Sequence, residues 1–529
     1  MTSITADLVH GDEEATVKAK VVAIANGLAG DGYLSGPDTP EEWEDARIKL
    51  NALIPMLDPA LEPIADWSRG HVARARINAL NAARYWLEPE WLVPNIDGGA
   101  DLGPGLIADF VRGRYALPDM APEDILSASA ADVAAAMRVV AFEDVFDLVS
   151  SGKWVAGPDG TLSYQTVPWD YTHGTCGLLL EGPGTNLVRN NTMQGATVGV
   201  IGSGGAIPTR WTLWEQLPLD FVEVVAVGIS GGIDYVDIRF SGTAGSNNAI
   251  AVLPESTTGI AATGDDIVTG SVYLALVDGA LPRGAALRIH PRLSAGSANG
   301  VTANVPVALT DTLIRYTITA SPLGGTVPAD TAYCAMSIAA NMQTGDAVEF
   351  TLRIGLPQVE KSAAASSPIK TYGTTLTRTP DLAQLTPRAA AVLQREAATL
   401  LSQVQGLSRI DPALIGVFIG GAAQRLMGIT ASGSPCIGHS ATLSQAPAVS
   451  EPWESAGCIG AWDNTGKAIT FNSRPQFSNN DPLDADRSAI LLGRRTIGNY
   501  MDGHHFSLIG WPGRAANVAL PGKAVPYGA

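Results

Sequence analysis

The chain has 529 residues, with 57 glycines, 34 prolines, only 16% charged residues and a formal net charge of −18. Such a length exceeds one hydrophobic core and fits about two to four domains, while the glycine and proline content favours short strands and tight turns over long helices. The acidic balance excludes a nucleic-acid partner, which would draw on clustered Lys and Arg, and no stretch reaches the roughly 18 uninterrupted apolar residues of a membrane helix, so no membrane insertion is expected.

The N-terminus carries Asp7, Asp12, Glu13 and Glu14 instead of the basic start of a secretory signal, so the chain is expected to be made in the cytoplasm without a signal peptide. Residues 1–95 read as helical. In Asp38-Thr39-Pro40-Glu41-Glu42 the threonine can cap, the proline sits at the first helical position and Glu42 can close a capping box. The helix then runs towards Ile54, where Pro55 ends it. Ala46-Arg47-Ile48-Lys49-Leu50-Asn51-Ala52 is echoed by Ala73-Arg74-Ala75-Arg76-Ile77-Asn78-Ala79. This short internal repeat reads as two amphipathic helices of one small bundle, with Arg47, Lys49, Arg74 and Arg76 outward. A boundary is expected in the Gly-rich stretch 96–105.

From Leu106 to about Asp381 the pattern changes to alternating, β-branched runs such as Phe221–Val227, Tyr235–Phe240, Val272–Val277 and Val348–Ile354. Period-2 runs separated by Gly, Ser and Asn predict an antiparallel sandwich. One Ala-rich helical interruption is predicted over Ala130–Ser150. Residues Arg388–Gln405 are ambiguous, with helix formers up to Ala398 and a strand-like Thr399–Val404 after them. Short strands resume from Ile415, with Asp463-Asn464-Thr465-Gly466-Lys467 as a turn between two of them. The fold class is therefore mainly β: a helical N-terminal segment (1–95) followed by antiparallel sandwich domains over 106–381 and 382–529.

Several motifs point towards chemistry and are outweighed by plainer readings. Gly228-Ile229-Ser230-Gly231-Gly232 matches the G-x-S-x-G nucleophile elbow, but strand-like residues on both sides make it a hairpin. Gly202-Ser203-Gly204-Gly205 reads as a loop, since Pro208 stands where a phosphate-binding helix would open. Cys176, Cys334, Cys436 and Cys458 are too scattered for a disulfide framework. Cys436, His439 and Cys458 lack the second close pair of a zinc site. Asn479, Asn480, Asp481, Asp484 and Asp486 could hold Ca²⁺ but read first as a solvated turn. No local pair of carboxylates marks a glycosidase, and neither cofactor, metal nor catalytic residue is expected. Among Trp154, Trp169, Tyr171, Trp211, Trp214 and Trp462, the candidates for stacking on sugar rings are Trp211 and Trp214.

Asp109–Tyr115 and the block made of Asp159-Gly160-Thr161-Leu162 with Gly177-Leu178-Leu179-Leu180-Glu181-Gly182-Pro183-Gly184-Thr185-Asn186-Leu187, together with Ile354–Glu360, Ser366–Thr371 and Thr377-Arg378, resemble the central domain of phage tail-fibre and spike proteins, including the head spikes of gene transfer agents. That resemblance implies a jelly roll similar to carbohydrate-binding modules over 106–381. The repeat, with Arg47, Lys49, Asn51, Arg74, Arg76 and Asn78, resembles the virion-attachment helices at the base of trimeric fibres. Leu491–Arg495, Tyr500–Leu508 and Trp511–Arg514 resemble the last strands of a concanavalin/laminin-G-like sandwich, although a Gly/Pro tail replaces the usual closing helix. The family implies a structural, non-enzymatic subunit on the virion surface, homotrimeric, docked to other virion proteins (capsid, portal, tail or spike components) and binding cell-surface polysaccharide. The alternative is a glycan-active hydrolase (depolymerase) or its non-catalytic binding module.

Overall fold

The computed structural model describes residues 96–524 apart from internal segments, of which 215–220, 320–326, 410–415, 446–454 and 494–500 are the longest. The expected helical segment 1–95, with Arg47, Lys49, Asn51, Arg74, Arg76 and Asn78, lies outside the described residues, as do His439, Asp484 and Asp486. Among the described residues no helix is long and apolar enough to cross a membrane.

The described chain is mainly antiparallel β-sheet, as its turn-rich composition predicts, and its strands form two sandwiches, one inserted into the other. The outer sandwich pairs a ten-stranded sheet with a seven-stranded one. In the larger sheet, Met501–Trp511 is central. It bonds Ala398–Arg409 on one side and both Leu106–Asp109 and Gly177–Leu180 on the other. The smaller sheet brings Phe146–Val149 against Leu382–Leu385. Leu106, Ala108, Leu178 and Leu180 thus share a core with Ala383, Leu400, Ile469, Leu492 and Leu508. The helix Pro387–Gln394, capped by the Thr386 hydroxyl accepting from the Ala389 amide, buries Ala389, Ala390, Ala391, Val392 and Leu393 in that core.

The expected division at 381/382 does not follow the sheets. Residues 106–180 pair with residues 382–511, and the second sandwich is carried between them. Strand patterning reveals which face of a strand is apolar, but not which distant strand it will pair with. The Ala130–Ser150 stretch also differs from expectation, because only Ala130–Ala135 and Phe142–Val145 are helical. Met137–Val140, which ends in two β-branched valines, pairs with Arg114–Pro118 as a strand. The ambiguous 388–405 stretch is both helix and strand, Pro387–Gln394 and then Ala398–Arg409.

The inserted sandwich faces two sheets over one core. Val236, Ile238, Phe240, Leu274, Phe350 and Leu352 come from one sheet, and Ile250, Val252, Leu287, Ile289, Met336 and Ile338 from the other. The hairpin between Phe221–Ser230 and Ile233–Thr243 turns at Gly231 and Gly232, whose φ values of +55° and +77° give the left-handed pair that two-residue hairpins require. Ser230 is therefore a hairpin residue, as its flanking strands predicted.

The chain enters the insert through Glu181-Gly182 and leaves it after Thr377-Arg378, Gly184–Asn186 pairing with Leu376–Arg378. A buried ionic junction holds both crossings. Lys153, fully buried, places its Nζ 3.0 Å from Glu181 Oε2 and also on Asp381, and donates to the Leu179 carbonyl at 3.1 Å. Arg378 Nη1 lies 3.0 Å from the same Glu181 oxygen, and the Ser367 amide and hydroxyl each donate to Glu181 at 2.7 Å. Burial alone would push the Glu181 carboxyl up, but Arg378 and Lys153 hold it well below the usual carboxylate range. Asp502 shifts the other way: burial, and then the charge of Glu181, push it up, although it accepts the Gly182 amide at 2.6 Å.

Candidate ligand-binding face on the inserted sandwich

Trp211 and Trp214, three residues apart, meet different fates. Trp211 is 6% exposed, packs in the inserted core, and donates its Nε1 hydrogen to the Asn190 carbonyl at 2.8 Å. Its ring is enclosed and cannot serve as a sugar platform; the expectation for Trp211 is corrected to a core role. Trp214 ends the strand Thr212–Trp214, whose preceding residue Leu213 points into the core, so Trp214 lies on the sheet's outer face. There it rests on a floor of small residues, Ala249, Ala251, Ala335 and Ala339, with Leu253. Only residues this small let an indole lie across neighbouring strands.

The far side of that floor is built by Ala285–Arg292. Leu287 and Ile289 enter the core, so Arg288, His290 and Arg292 share the outer face. Arg292 lies over the Trp214 ring, 4.8 Å from its centroid, and His290 meets the same ring edge-on at 5.4 Å. His290 Nε2 is 2.7 Å from the Ser337 hydroxyl. Arg288 donates through Nη2 to Asn341 Oδ1 at 2.6 Å and through Nε to Asn304 Oδ1 at 3.1 Å. Burial, then the charges of Arg292 and Arg288, push the His290 imidazole down to about 4, so it is neutral at pH 7.

The electrostatics separate this face from the rest of the insert. Elsewhere in the insert four arginines are matched to carboxylates, Arg189 to Glu255, Arg239 to Glu349, Arg283 to Asp346 and Arg353 to Asp237, and Arg315 donates to the Ser271 hydroxyl and the Ser366 carbonyl. Among the described residues Arg288 and Arg292 form no ion pair. Arg292 is 8% exposed, and its Nε is sealed from solvent without a partner. Burial pushes both guanidinium pKa values down, with no acid to offset it.

The sequence singled out Trp214 as a candidate, whereas Arg288, His290 and Arg292, which the fold places beside it, drew no attention. The signal was present in Arg288-Ile289-His290-Pro291-Arg292, where basic residues recur at every second position beside apolar ones, the pattern of a strand presenting a basic face.

The other candidates have structural roles. Trp169 belongs to an aromatic cluster with Phe110 and Phe142, Trp462 is core, and Trp154 carries Lys370 Nζ 3.6 Å from its ring centroid. Tyr171 neighbours Cys176, and all four cysteines are free thiols, three of them buried. Among the described residues no group of three His, Cys, Asp or Glu converges on a metal position. At the acidic loop, Lys467 donates to the Pro482 carbonyl at 2.9 Å, putting a buried ammonium beside the oxygens a cation would seek.

No family model and no curated protein matches this chain. Among solved structures, an arabinose-bound α-L-arabinofuranosidase is similar over 41% of this chain and 30% of its own, at 14% identity and a TM-score of 0.26. The tripod of the bacteriophage Tuc2009 baseplate covers 65% of this chain and 97% of its own, at 13% identity and a TM-score of 0.24. A xylan-binding domain of Paenibacillus barcinonensis Xyn10C covers 36% and 97%, at 15% identity and 0.22. At TM-scores this low, the likenesses carry no weight for fold or function, and the chemistry of the outer face has to speak for itself.

Proposed function

We propose that this chain is a non-enzymatic virion subunit, a tail fibre or spike, that binds host or recipient surface polysaccharide through the inserted sandwich. The observation that supports it best is the Trp214 face, an aromatic ring on a floor of small residues with Arg292 over it, neighboured by the donors of Arg288, Asn304 and Asn341. Flat apolar surface edged by fixed donors is what polyhydroxylated ligands require. Residues 1–95 attach the subunit to other virion proteins, three chains associate, and the β domains stand on the virion surface. Weak single sites become useful there because many copies share one particle.

Glu181, Asp381 and Asp502 gather in the buried junction with Lys153 and Arg378, where they hold the two sandwiches together, and Glu223 and Glu349 gather around Arg239, which neutralises them. Carboxylates committed to ion pairs support binding over cleavage.

Incubating the full chain with purified envelope polysaccharide tests the reading. Co-sedimentation without new reducing ends is the expected result, and release of reducing ends makes the chain a depolymerase. Light scattering is expected to give a trimer, and deletion of residues 1–95 to prevent incorporation into particles. A monomer at micromolar concentration contradicts the assembly.

A further inference from the structure

We infer that the Trp214 face selects polysaccharides bearing carboxylates, with Arg292 as the group that reads the acid. This deepens the polysaccharide-binding reading and rests on it. A neutral glycan would satisfy the hydrogen-bond donors of the face but leave its charge uncompensated. Arg292 is the sharpest case, since the residue is more than nine-tenths buried, its Nε is sealed from solvent without a partner, its guanidinium lies over the Trp214 ring, and it has no ion pair among the described residues. A buried, unpaired cation is costly to the folded chain. The chain carries 52 acidic residues against 34 basic ones, yet none of the described acids is brought to this cation. An incoming carboxylate supplies the missing charge and accepts from the Nη atoms in the paired geometry that suits a planar guanidinium.

The spacing specifies a polymer. Arg288 and Arg292 stand four residues apart on one strand, about 13 Å, beyond the reach of one sugar ring. Arg288 is held by Asn304 and Asn341, which are neutral, so it too offers charge to the ligand. His290 between them is neutral at pH 7 and bonded to Ser337, and the titratable or charged groups facing it are Arg288 and Arg292. The two acid-reading positions are thus separated by an uncharged one, which fits a chain whose acidic sugars recur at intervals.

The test is binding of the full chain to polygalacturonate, alginate and hyaluronate, each immobilised beside its carboxyl-reduced twin, with neutral envelope polysaccharides and dextran sulfate on the same surface. The expected result is binding to at least one carboxylated polymer, weakened tenfold or more in its reduced twin and in Arg292→Gln. Arg292→Lys, which keeps the charge but not the planar fork, should recover part of the loss. Because Arg292→Gln removes an unpaired buried cation, its melting temperature should match or exceed that of the parent, so lost binding is not lost folding. Equal binding to acid and reduced twin, binding only to neutral polymers, or equal binding to dextran sulfate at physiological salt would each overturn the carboxylate assignment while leaving polysaccharide binding in place. Binding to none of these surfaces removes the polysaccharide reading as well.

Discussion

Replacing Lys153 with Met is expected to destabilise the outer sandwich by about 3–5 kcal/mol, the cost of stranding buried charge when one partner of an ion pair is removed. Lys153 Nζ is the ammonium shared by Glu181, at 3.0 Å, and Asp381. At an effective dielectric near 20, one unit-charge pair at this separation is worth roughly 5 kcal/mol before desolvation is counted. Without Lys153, Arg378 alone faces Glu181, while Asp381 retains the Glu181 amide, which donates to it at 2.8 Å. Methionine matches the aliphatic stem, so the loss reports the charge and not a cavity. Thermal unfolding by circular dichroism should show the first transition lowered by roughly 6–20 °C, taking about 2–4 °C per kcal/mol for a unit of this size. The double variant Lys153→Met/Asp381→Asn should recover much of the loss, because it removes a stranded charge together with its partner. A single variant that loses under about 1 kcal/mol, or a double variant worse than the sum of the singles, refutes the junction as a source of stability.

Three further outcomes follow from the geometry. Trp211→Ala should cost about 3–5 kcal/mol, as emptied core aromatics do, and Trp214→Ala distinctly less; equal losses in denaturant titration would mean that Trp214 is core too. His290 is held neutral at a pKa of about 4, below its ordinary 6.5, so the stability it contributes is present above pH 6.5 and is lost as the pH falls towards 4, by about 3 kcal/mol at 1.36 kcal/mol per pKa unit. His290→Gln should flatten that part of the stability profile relative to the parent, and parallel profiles would contradict the assignment. Gly232→Ala should be severely destabilising, since the new Cβ would stand 2.0 Å from the Leu162 carbonyl oxygen at a φ of +77°, whereas Gly345→Ala, at +89° with nothing within 4 Å, should cost only the left-handed penalty of about 1–2 kcal/mol. Similar losses in the two variants would argue against the close approach at Gly232.

Local physics made part of this molecule legible in advance. Turn residues and period-2 runs are short-range signals, so the mainly β class, the hairpin at Gly231-Gly232 and the turn at Asp463 could be read directly. In that turn Asp463 Oδ1 accepts from the Thr465 and Gly466 amides, a bond set available within four residues of chain. The Gly177–Leu187 block stood out in the sequence as well, but its role did not: it is the crossing from one sandwich to the other, locked by a lysine 28 residues before Glu181 and an aspartate 200 after it. Long-range pairing decided that, as it decided that Leu106–Asp109 closes a sheet with Met501–Trp511. The candidate face divides in the same way. Aromatic composition marked Trp211 and Trp214 equally. Which ring is sealed in the core and which one carries Arg292 depends on strand register and on alanines contributed by Ala249–Leu253 and Tyr333–Asn341, and only the folded sheet brings those strands together.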